Sequence, residues 1–239
     1  MLKPYQQIPI VECGEKLLPI PLEIFAVENP HPYVKLGAPY NIGSPYFLRE
    51  TVLSKLQEAQ NLLQISPQSA WQIQIFDAYR PIAVQQFMVD HAFQSILQTN
   101  NLTEDSPLLT PAKRAEILEQ VYQFWAIPSL DPAMPPPHST GGAVDITLVT
   151  ATGEIVDMGS PIDEISERSH PNYFANSTDD QGKKYHEHRQ ILAGVMKKVG
   201  FQQHQNEWWH FSYGDQMWAW LSMQQSPSEI LTARYGRVE

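Results

Sequence analysis

Two short segments of the sequence carry side chains that could bind a metal ion. One begins with His138 and ends with Asp145, and the other begins with Glu207 and ends with His210. Zinc binds imidazole nitrogen and carboxylate oxygen, and a catalytic zinc site uses three protein ligands so that water can occupy the fourth position. We therefore predict a zinc centre with His138, Asp145 and His210 as ligands. Glu207 is then the spare carboxylate that would act as a base on the water.

The first segment places both of its candidate ligands in unusual surroundings. Asp145 interrupts an apolar stretch between Val144 and Ile146. A carboxylate buried there without a cation or hydrogen-bond donors would cost on the order of several kcal/mol, and a metal ion would offset that cost. The alternative is that Asp145 points to solvent, as the alternation of a half-exposed strand allows. His138 follows a proline run and precedes two glycines, so its backbone is held in a shape that neither a helix nor a strand provides.

The second segment needs an irregular backbone if both of its polar side chains are to reach one metal. Glu207 and His210 are three positions apart. On a regular strand they would face opposite sides, so a bulge or a strong local twist is required, whereas on a helix they would share a face. The neighbouring aromatic residues favour a strand and would exclude water around the metal. The alternative is a core strand with an incidental histidine.

Composition limits the class of protein. The chain has 239 residues, 42% of them hydrophobic, which is enough for one large domain, and we predict a single domain over residues 1–239. The net charge of −10 disfavours binding to nucleic acid and to anionic membranes. Cys13 is the only cysteine, so neither an internal disulfide nor a cysteine-rich zinc site can form.

The sequence also predicts where the protein works. Its first residues lack the uninterrupted apolar stretch of a secretory signal, and no segment is long enough in apolar residues to span a bilayer. We therefore expect the cytoplasm, or the periplasm if a leader segment has been removed. Nothing in the sequence predicts the oligomeric state.

The spacing of apolar residues and prolines predicts an α+β fold. Residues 1–46 contain many prolines and are expected to form an extended N-terminal arm packed on the domain. After the arm, helical and strand-like periodicities follow one another at irregular intervals, which favours a mainly antiparallel central sheet flanked by helices. The predicted helices cover residues 47–63, 81–97, 111–124 and 181–199, and the predicted strands cover residues 71–76, 142–149 and 201–208.

Five pieces of the sequence together resemble a known enzyme family. They are residues 77–81, 138–148, 158–160, 167–170 and 207–210. They include the combination H-x-x-G-x-A-x-D with E-W-W-H, and in this order they resemble the VanX-type D-alanyl-D-alanine dipeptidases, which belong to the zinc D,D-peptidases of the hedgehog/DD-peptidase-like fold. This chain has Pro136 where the family often has a serine near the substrate. The proline-rich arm aligns poorly, so the family tyrosine that contacts substrate cannot be placed on it.

The resemblance implies a metal site and a reaction. His138, Asp145 and His210 would bind one Zn²⁺ ion per chain, and Glu207 would be the general base. The enzyme would be a zinc metallopeptidase that hydrolyses the D-alanyl-D-alanine dipeptide to two D-alanines by Glu-assisted attack of a zinc-bound water. The nearest alternative is a D,D- or L,D-carboxypeptidase that acts on longer peptidoglycan stem peptides. The two differ in whether the far side of the pocket is open.

The resemblance also assigns residues around the metal. Arg80 would stabilise the charge that develops in the transition state. Asp163 would hold the free ammonium group of a small dipeptide substrate. His170 and Trp209 would lie beside the site, where they would orient a ligand or the substrate and exclude water. Without the resemblance, Arg80 could be a surface ion-pair partner and Asp163 a solvated charge.

Two further classes share part of this pattern. Iron oxygenases also use two histidines and one carboxylate, but they usually place the carboxylate two residues after the first histidine and have no need of Glu207. A protein that keeps zinc for structure alone has no need of Glu207 or Arg80. Five further histidines are not predicted at the site. His186 and His188 flank Glu187 and point to different sides of a predicted helix, and His31, His91 and His204 have no supporting neighbours.

Overall fold

The computed structural model describes residues 3–40, 44–226, 228 and 230–238. In this part of the chain the strands are β1 (Leu17–Pro19), β2 (Ala26–Val27), β3 (Phe47–Arg49), β4 (Gln72–Asp77), β5 (Ala143–Val149), β6 (Gln202–Gln203) and β7 (His210–Ser212). The α-helices are α1 (Pro32–Lys35), α2 (Glu50–Gln64), α3 (Ile82–Thr99), α4 (Pro111–Phe124), α5 (Asp180–Lys198) and α6 (Gln216–Gln225). Short 3-10 helices cover Pro4–Gln7, Pro137–Thr140 and Glu167–Ser169.

The central sheet has five strands in the order β2-β4-β5-β7-β6. Strand β2 pairs with β4 in parallel, and the other described pairings of this sheet are antiparallel. Strands β1 and β3 form a separate antiparallel pair. The α+β fold with a mainly antiparallel sheet, which the sequence predicts, is therefore confirmed.

Strand β5 lies at the centre of the sheet and is buried along its whole length. Val144, Ile146 and Leu148 belong to the same core as the apolar residues of α2 and α5. Because side chains alternate along a strand, Asp145 points to the opposite face. Its relative exposure is 2%, so the solvent-facing alternative for this carboxylate is wrong. A second core, formed largely by α3 and α4, packs against Phe76 on that opposite face.

The strand register brings three polar residues into one row across the sheet. Asp145 pairs with Asp77 on β4 and with His210 on β7. The register shifts between Ile75 and Asp77, and this irregularity is what sets Asp77 opposite Asp145. Side chains of directly paired residues lie on the same face of a sheet. The row therefore brings residues from three separate parts of the sequence to one place.

The hairpin of β6 and β7 replaces the single strand predicted for residues 201–208. That prediction is wrong, because the two short strands pair antiparallel and the chain between them forms their connection. Glu207 lies in this connection, and β7 begins at His210. Because Glu207 lies outside the strand, the alternation of side chains along a strand does not force Glu207 and His210 to opposite faces. The two side chains can therefore reach one site.

The N-terminal region has the extended character that its prolines predict. In residues 3–40 the longest α-helix is α1, with four residues. Strand β2 from this region adds an edge to the central sheet. The helix predicted to begin at residue 47 begins instead at Glu50, since Phe47–Arg49 pair with β1. Among the helices described, none is both long and apolar enough to cross a bilayer.

Candidate metal centre and active site

The side chains of His138, Asp145 and His210 meet at one point, and all three are buried. Nε2 of His138 lies 3.1 Å from Nδ1 of His210 and 3.2 Å from Oδ2 of Asp145. Oδ1 of Asp145 lies 3.0 Å from Nδ1 of His210. One ligand atom from each residue lies within 4.8 Å of the others. The two sequence segments predicted to share a metal are thus brought together.

Hydrogen bonds on the far side of each imidazole determine which nitrogen faces the cluster. Nδ1 of His138 lies 2.7 Å from the carbonyl oxygen of Ala78, which can only accept, so this nitrogen donates. Nε2 of His210 lies 3.2 Å from Oγ of Ser212, whose own proton is donated to Asp215 at 2.8 Å. His210 is therefore the donor to Ser212. In their neutral forms both imidazoles present a lone pair to the cluster.

The converging atoms fit a cation. Two imidazole lone pairs and a carboxylate point at one another at about hydrogen-bond distance, which is unfavourable unless a positive charge lies between them. Burial alone would raise the pKa of Asp145, but the positive charge of a protonated His138 or His210 lowers it well below its ordinary value, so this carboxylate responds strongly to a nearby cation. Two nitrogens and a carboxylate oxygen form a donor set that zinc binds well.

Glu207 lies beside the cluster without joining it. Its Oε2 is 3.8 Å from Nδ1 of His210, and its Oε1 is 3.5 Å from Nδ1 of His204. Burial raises the pKa of Glu207 well above its ordinary value, and the negative charge of Asp145 raises it further. A raised pKa makes a carboxylate a stronger base toward a neighbouring water.

Arg80 is buried at the end of β4 and is held by several partners. It bridges the two paired aspartates of the row, with Nη2 at 2.7 Å from Asp77 and 3.2 Å from Asp145. This charge offsets the repulsion between two carboxylates on neighbouring strands. Its other nitrogens donate to Asp77 and Gln85, and its plane lies over the rings of Tyr33 and Trp125. The surface ion-pair alternative for Arg80 is wrong, since its relative exposure is 4%.

Asp163 lies on a loop and lines the cavity. Its backbone has a φ of 65°, in the left-handed region. Its Oδ2 accepts a hydrogen bond of 2.9 Å from the hydroxyl of Tyr33, which in turn accepts from Arg80 at 3.2 Å. Burial raises the pKa of Asp163 to about 7, and the charge of Asp145 contributes. A partly buried carboxylate with one hydroxyl partner still has oxygen lone pairs for a ligand.

A buried arginine on α5 fixes the loop that carries Asp163. Arg189 has a relative exposure of 1%. Its guanidinium donates to the carbonyl oxygens and the hydroxyl of the loop, at Met158, Ser160, Arg168 and His170. Because one planar group contacts both ends of the loop, the position of Asp163 is coupled to α5.

These side chains line one cavity, whose solvent-accessible volume is about 30 Å³. Its wall includes the three clustered residues together with Arg80, Asp163, Glu207 and Trp209, and the N-terminal region contributes Lys3 and Tyr5. Apolar and polar groups thus surround a space next to the candidate metal position.

The family model for D-Ala-D-Ala dipeptidases, Peptidase M15, matches residues 26–230 of this chain. The chain belongs to this family. It is 50% identical over its full length to the D-alanyl-D-alanine dipeptidase of Synechocystis sp., of which the alignment covers 98%. It is 30% identical to the D-alanyl-D-alanine dipeptidase of Enterococcus faecium, with 69% of this chain and 75% of the relative covered.

Membership of the M15 family makes the protein a peptidase of the dipeptidase type. Among solved structures, the vancomycin resistance D,D-pentapeptidase VanY in complex with Zn(II) aligns with 87% of this chain and 88% of its own, at 15% identity and a TM-score of 0.43. This likeness is too distant to assign fold or function. The peptidase assignment depends on the family model and on the relatives with higher identity.

The site of this chain also includes residues that the sequence did not predict. Asp77 is fully buried and pairs with His31 at 3.1 Å, and Tyr40 donates to it at 3.2 Å. His204, three residues before Glu207 in the sequence, lies against it, with Nδ1 at 3.5 Å from Oε1. A strand-end aspartate three residues before Arg80 was the one signal that could have indicated Asp77. His31 reaches the site only through the fold, whereas the three-residue spacing of His204 and Glu207 could have indicated the second contact.

The two residues predicted beside the metal differ in their surroundings. Trp209 is buried and lines the cavity, and its carbonyl oxygen accepts from the backbone N–H of Ile146. The carbonyl oxygen of His170 accepts from Arg189. In the described residues the His170 imidazole makes no hydrogen bond to the clustered side chains. Its role in orienting a ligand stays a prediction.

Proposed function

We propose that this peptidase uses one zinc ion to hydrolyse the D-alanyl-D-alanine dipeptide to two D-alanines. The observation that carries the proposal is the meeting of His138, Asp145 and His210 beside an unshared carboxylate, Glu207. The relatives from Synechocystis sp. and Enterococcus faecium, which are named D-alanyl-D-alanine dipeptidases, support the choice of substrate. When bound by the three side chains, zinc supplies Lewis-acid chemistry, because it lowers the pKa of water and polarises a carbonyl group.

Glu207 would move the proton in this reaction. It takes a proton from the attacking water and transfers it to the nitrogen of the leaving amine. Its raised pKa makes the carboxylate a stronger base toward water, and the carboxyl group then keeps the proton until the leaving amine takes it. His204 lies 3.5 Å from the carboxylate and restricts where it points.

Arg80 would stabilise the negative charge that develops on the carbonyl oxygen. Its guanidinium lines the cavity and is held by Asp77 and Gln85, so it need not reorganise during the reaction. Asp163 would bind the free ammonium group of the substrate through the lone pairs that Tyr33 leaves open. A closed ammonium site of this kind would select a dipeptide over a longer chain.

Substrate comparison tests this proposal. We expect zinc-loaded protein to cleave free D-alanyl-D-alanine and to leave the N-acetylated dipeptide and longer peptides with the same ending largely intact. We expect Glu207→Gln to lower kcat by about a hundredfold to ten-thousandfold. Glu187→Gln, on the exposed face of α5, is the matched control and should retain full activity. Preference for the N-blocked or longer substrates would instead support the carboxypeptidase alternative and reject the role of Asp163.

A further inference from the structure

Two basic side chains other than histidine line the cavity, and they differ in their hydrogen-bond partners. Among the described lining residues these are Arg80 and Lys3. Every nitrogen of the Arg80 guanidinium has a partner within the protein. The Lys3 ammonium donates no hydrogen bond to any residue that the structure describes. It is therefore the cation in this cavity that is available to a ligand.

Lys3 is brought to the cavity by an anchored segment. Its backbone N–H donates to the Gln6 side chain at 2.8 Å, which closes the 3-10 turn Pro4–Gln7. Tyr5 of that turn is buried against Met217 and Leu221 of α6. The amide of Gln216, also on α6, donates to the carbonyl oxygen of Ile8 at 2.7 Å. These contacts fix the turn against α6, and this fixes the position of the Lys3 backbone beside the cavity.

Lys3 and Asp163 both line the cavity but have different neighbours. The charge of Lys3 acts on Glu207 and on His204, where it contributes to a lowered pKa of His204 after burial and the neighbouring His210. Asp163 instead contacts Tyr33 on the Arg80 side. The Lys3 ammonium near Glu207 and the Asp163 carboxylate bonded to Tyr33 match the two charged ends of a free dipeptide.

The direction of the reaction decides which end lies beside Lys3. Glu207 gives its proton to the leaving amine, so the leaving residue must lie on the Glu207 side of the bond that breaks. In a dipeptide the leaving residue carries the carboxylate. We propose that the Lys3 ammonium binds the carboxylate of the C-terminal residue of the substrate. This inference rests on the function proposed above.

Lys3 lies outside the region of the chain that the family model matches. That match begins at residue 26, and the turn Pro4–Gln7 precedes it. The catalytic side chains lie within the matched region, at positions 80–210. The N-terminal turn therefore adds a carboxylate contact to a site whose chemistry is otherwise complete.

Removal of the Lys3 charge should affect one substrate and spare another. We expect Lys3→Met to raise KM for D-alanyl-D-alanine by about tenfold to a hundredfold with little change in kcat. The same variant should cleave the C-terminal amide of the dipeptide as the parent protein does, because the amide has no charge to lose. Lys3→Arg should restore most of the affinity. Lys16→Met, on an exposed arm residue, is the control and should change neither KM.

Binding provides a second readout that does not need turnover. Calorimetry with zinc-loaded Glu207→Gln protein should show weaker binding of D-alanyl-D-alanine, but not of its amide, when Lys3→Met is added. Equal losses of affinity for the dipeptide and its amide would mean that Lys3 only supports the fold. An unchanged affinity for the dipeptide would mean that Lys3 does not contact the substrate. Either result overturns the inference. Failure of the parent protein to cleave D-alanyl-D-alanine would reject the proposed function, while the binding comparison would still decide on Lys3.

Discussion

Ser212 joins a proposed zinc ligand to a buried aspartate. Nε2 of His210 donates to its hydroxyl, and the hydroxyl donates to Asp215, whose other oxygen accepts from the backbone N–H of Trp218 at the start of α6. This chain of hydrogen bonds fixes both the orientation of the His210 ring and the tautomer that leaves Nδ1 free for a metal. The position of the ligand is therefore coupled to the N-terminus of a helix.

We expect Ser212→Ala to weaken zinc binding without unfolding the protein. Loss of a hydrogen-bond partner of a metal-binding histidine typically costs about tenfold to a hundredfold in metal affinity. Competition with a chelator of known affinity measures the change, and thermal unfolding of the metal-free protein measures the fold. Ser95→Ala, which removes an exposed hydroxyl on α3, is the control. Unchanged zinc affinity in Ser212→Ala would mean that this hydrogen bond does not orient the ligand.

Residue types predicted the centre of the site but not its surroundings. His138, Asp145, Glu207 and His210 could be found because imidazole and carboxylate groups stand out in apolar segments. Tyr33 could not, because a tyrosine in a proline-rich arm has many ordinary uses and its hydroxyl meets Asp163 across 130 positions of sequence. Contacts of this kind depend on the fold as a whole.

Helix α2 depends on a side chain from the N-terminal arm. Its N-cap residue, Arg49, makes no side-chain cap, and Glu15 takes that role by accepting from the backbone N–H and the hydroxyl of Thr51 at 2.9 and 2.8 Å. Tyr235 and Arg234, near the end of the chain, contact the same carboxylate. Glu15 therefore links three separate segments through one helix terminus.

We expect Glu15→Gln to destabilise the protein by about 1–2 kcal/mol near pH 7, the usual cost of a lost helix cap. Burial alone would raise the pKa of Glu15, but the hydrogen bonds from Thr51 and Tyr235 outweigh it and lower the pKa. A lowered pKa means that the stabilisation is present above the unfolded pKa of about 4.3 and is lost as the pH falls through the lower folded value.

Denaturant unfolding at several pH values checks the sign of this effect. The difference in unfolding free energy between the parent and Glu15→Gln should be largest near neutral pH and should shrink in acid. Glu23→Gln, at an exposed position in the same arm, is the control and should follow the parent. A difference that grew in acid would contradict the account of Glu15 as an ionised cap.

Elements with strong local signals agree with their predictions, whereas the short strands near the end of the sheet do not. Helix α4 has the predicted bounds, since Pro111 occupies the first turn and Thr110 caps it. The single strand predicted for residues 201–208 is wrong. The aromatic residues of this region have strand propensity, but the sequence carries no local signal for the turn between β6 and β7. Pairing with β5 decides where the short strands lie.

The whole molecule brings the site together from four regions of the chain. Strands β4, β5 and β7 contribute the row of Asp77, Asp145 and His210. The turn Pro137–Thr140 contributes the second histidine, and the N-terminal arm lines the cavity with Lys3 and Tyr5. The sequence predicts that the two histidine segments share a metal, but not that adjacent strands bring them together or that the arm reaches them. The single domain over residues 1–239 stays a prediction.

Zinc content tests the central claim most directly. Elemental analysis after dialysis should find one zinc ion per chain in the parent protein and in Glu207→Gln, which keeps all three ligands. Asp145→Asn and His210→Ala should each retain far less, with circular dichroism showing that both variants are folded. If both folded variants kept one zinc ion per chain, the metal would lie elsewhere and the proposed centre would be wrong.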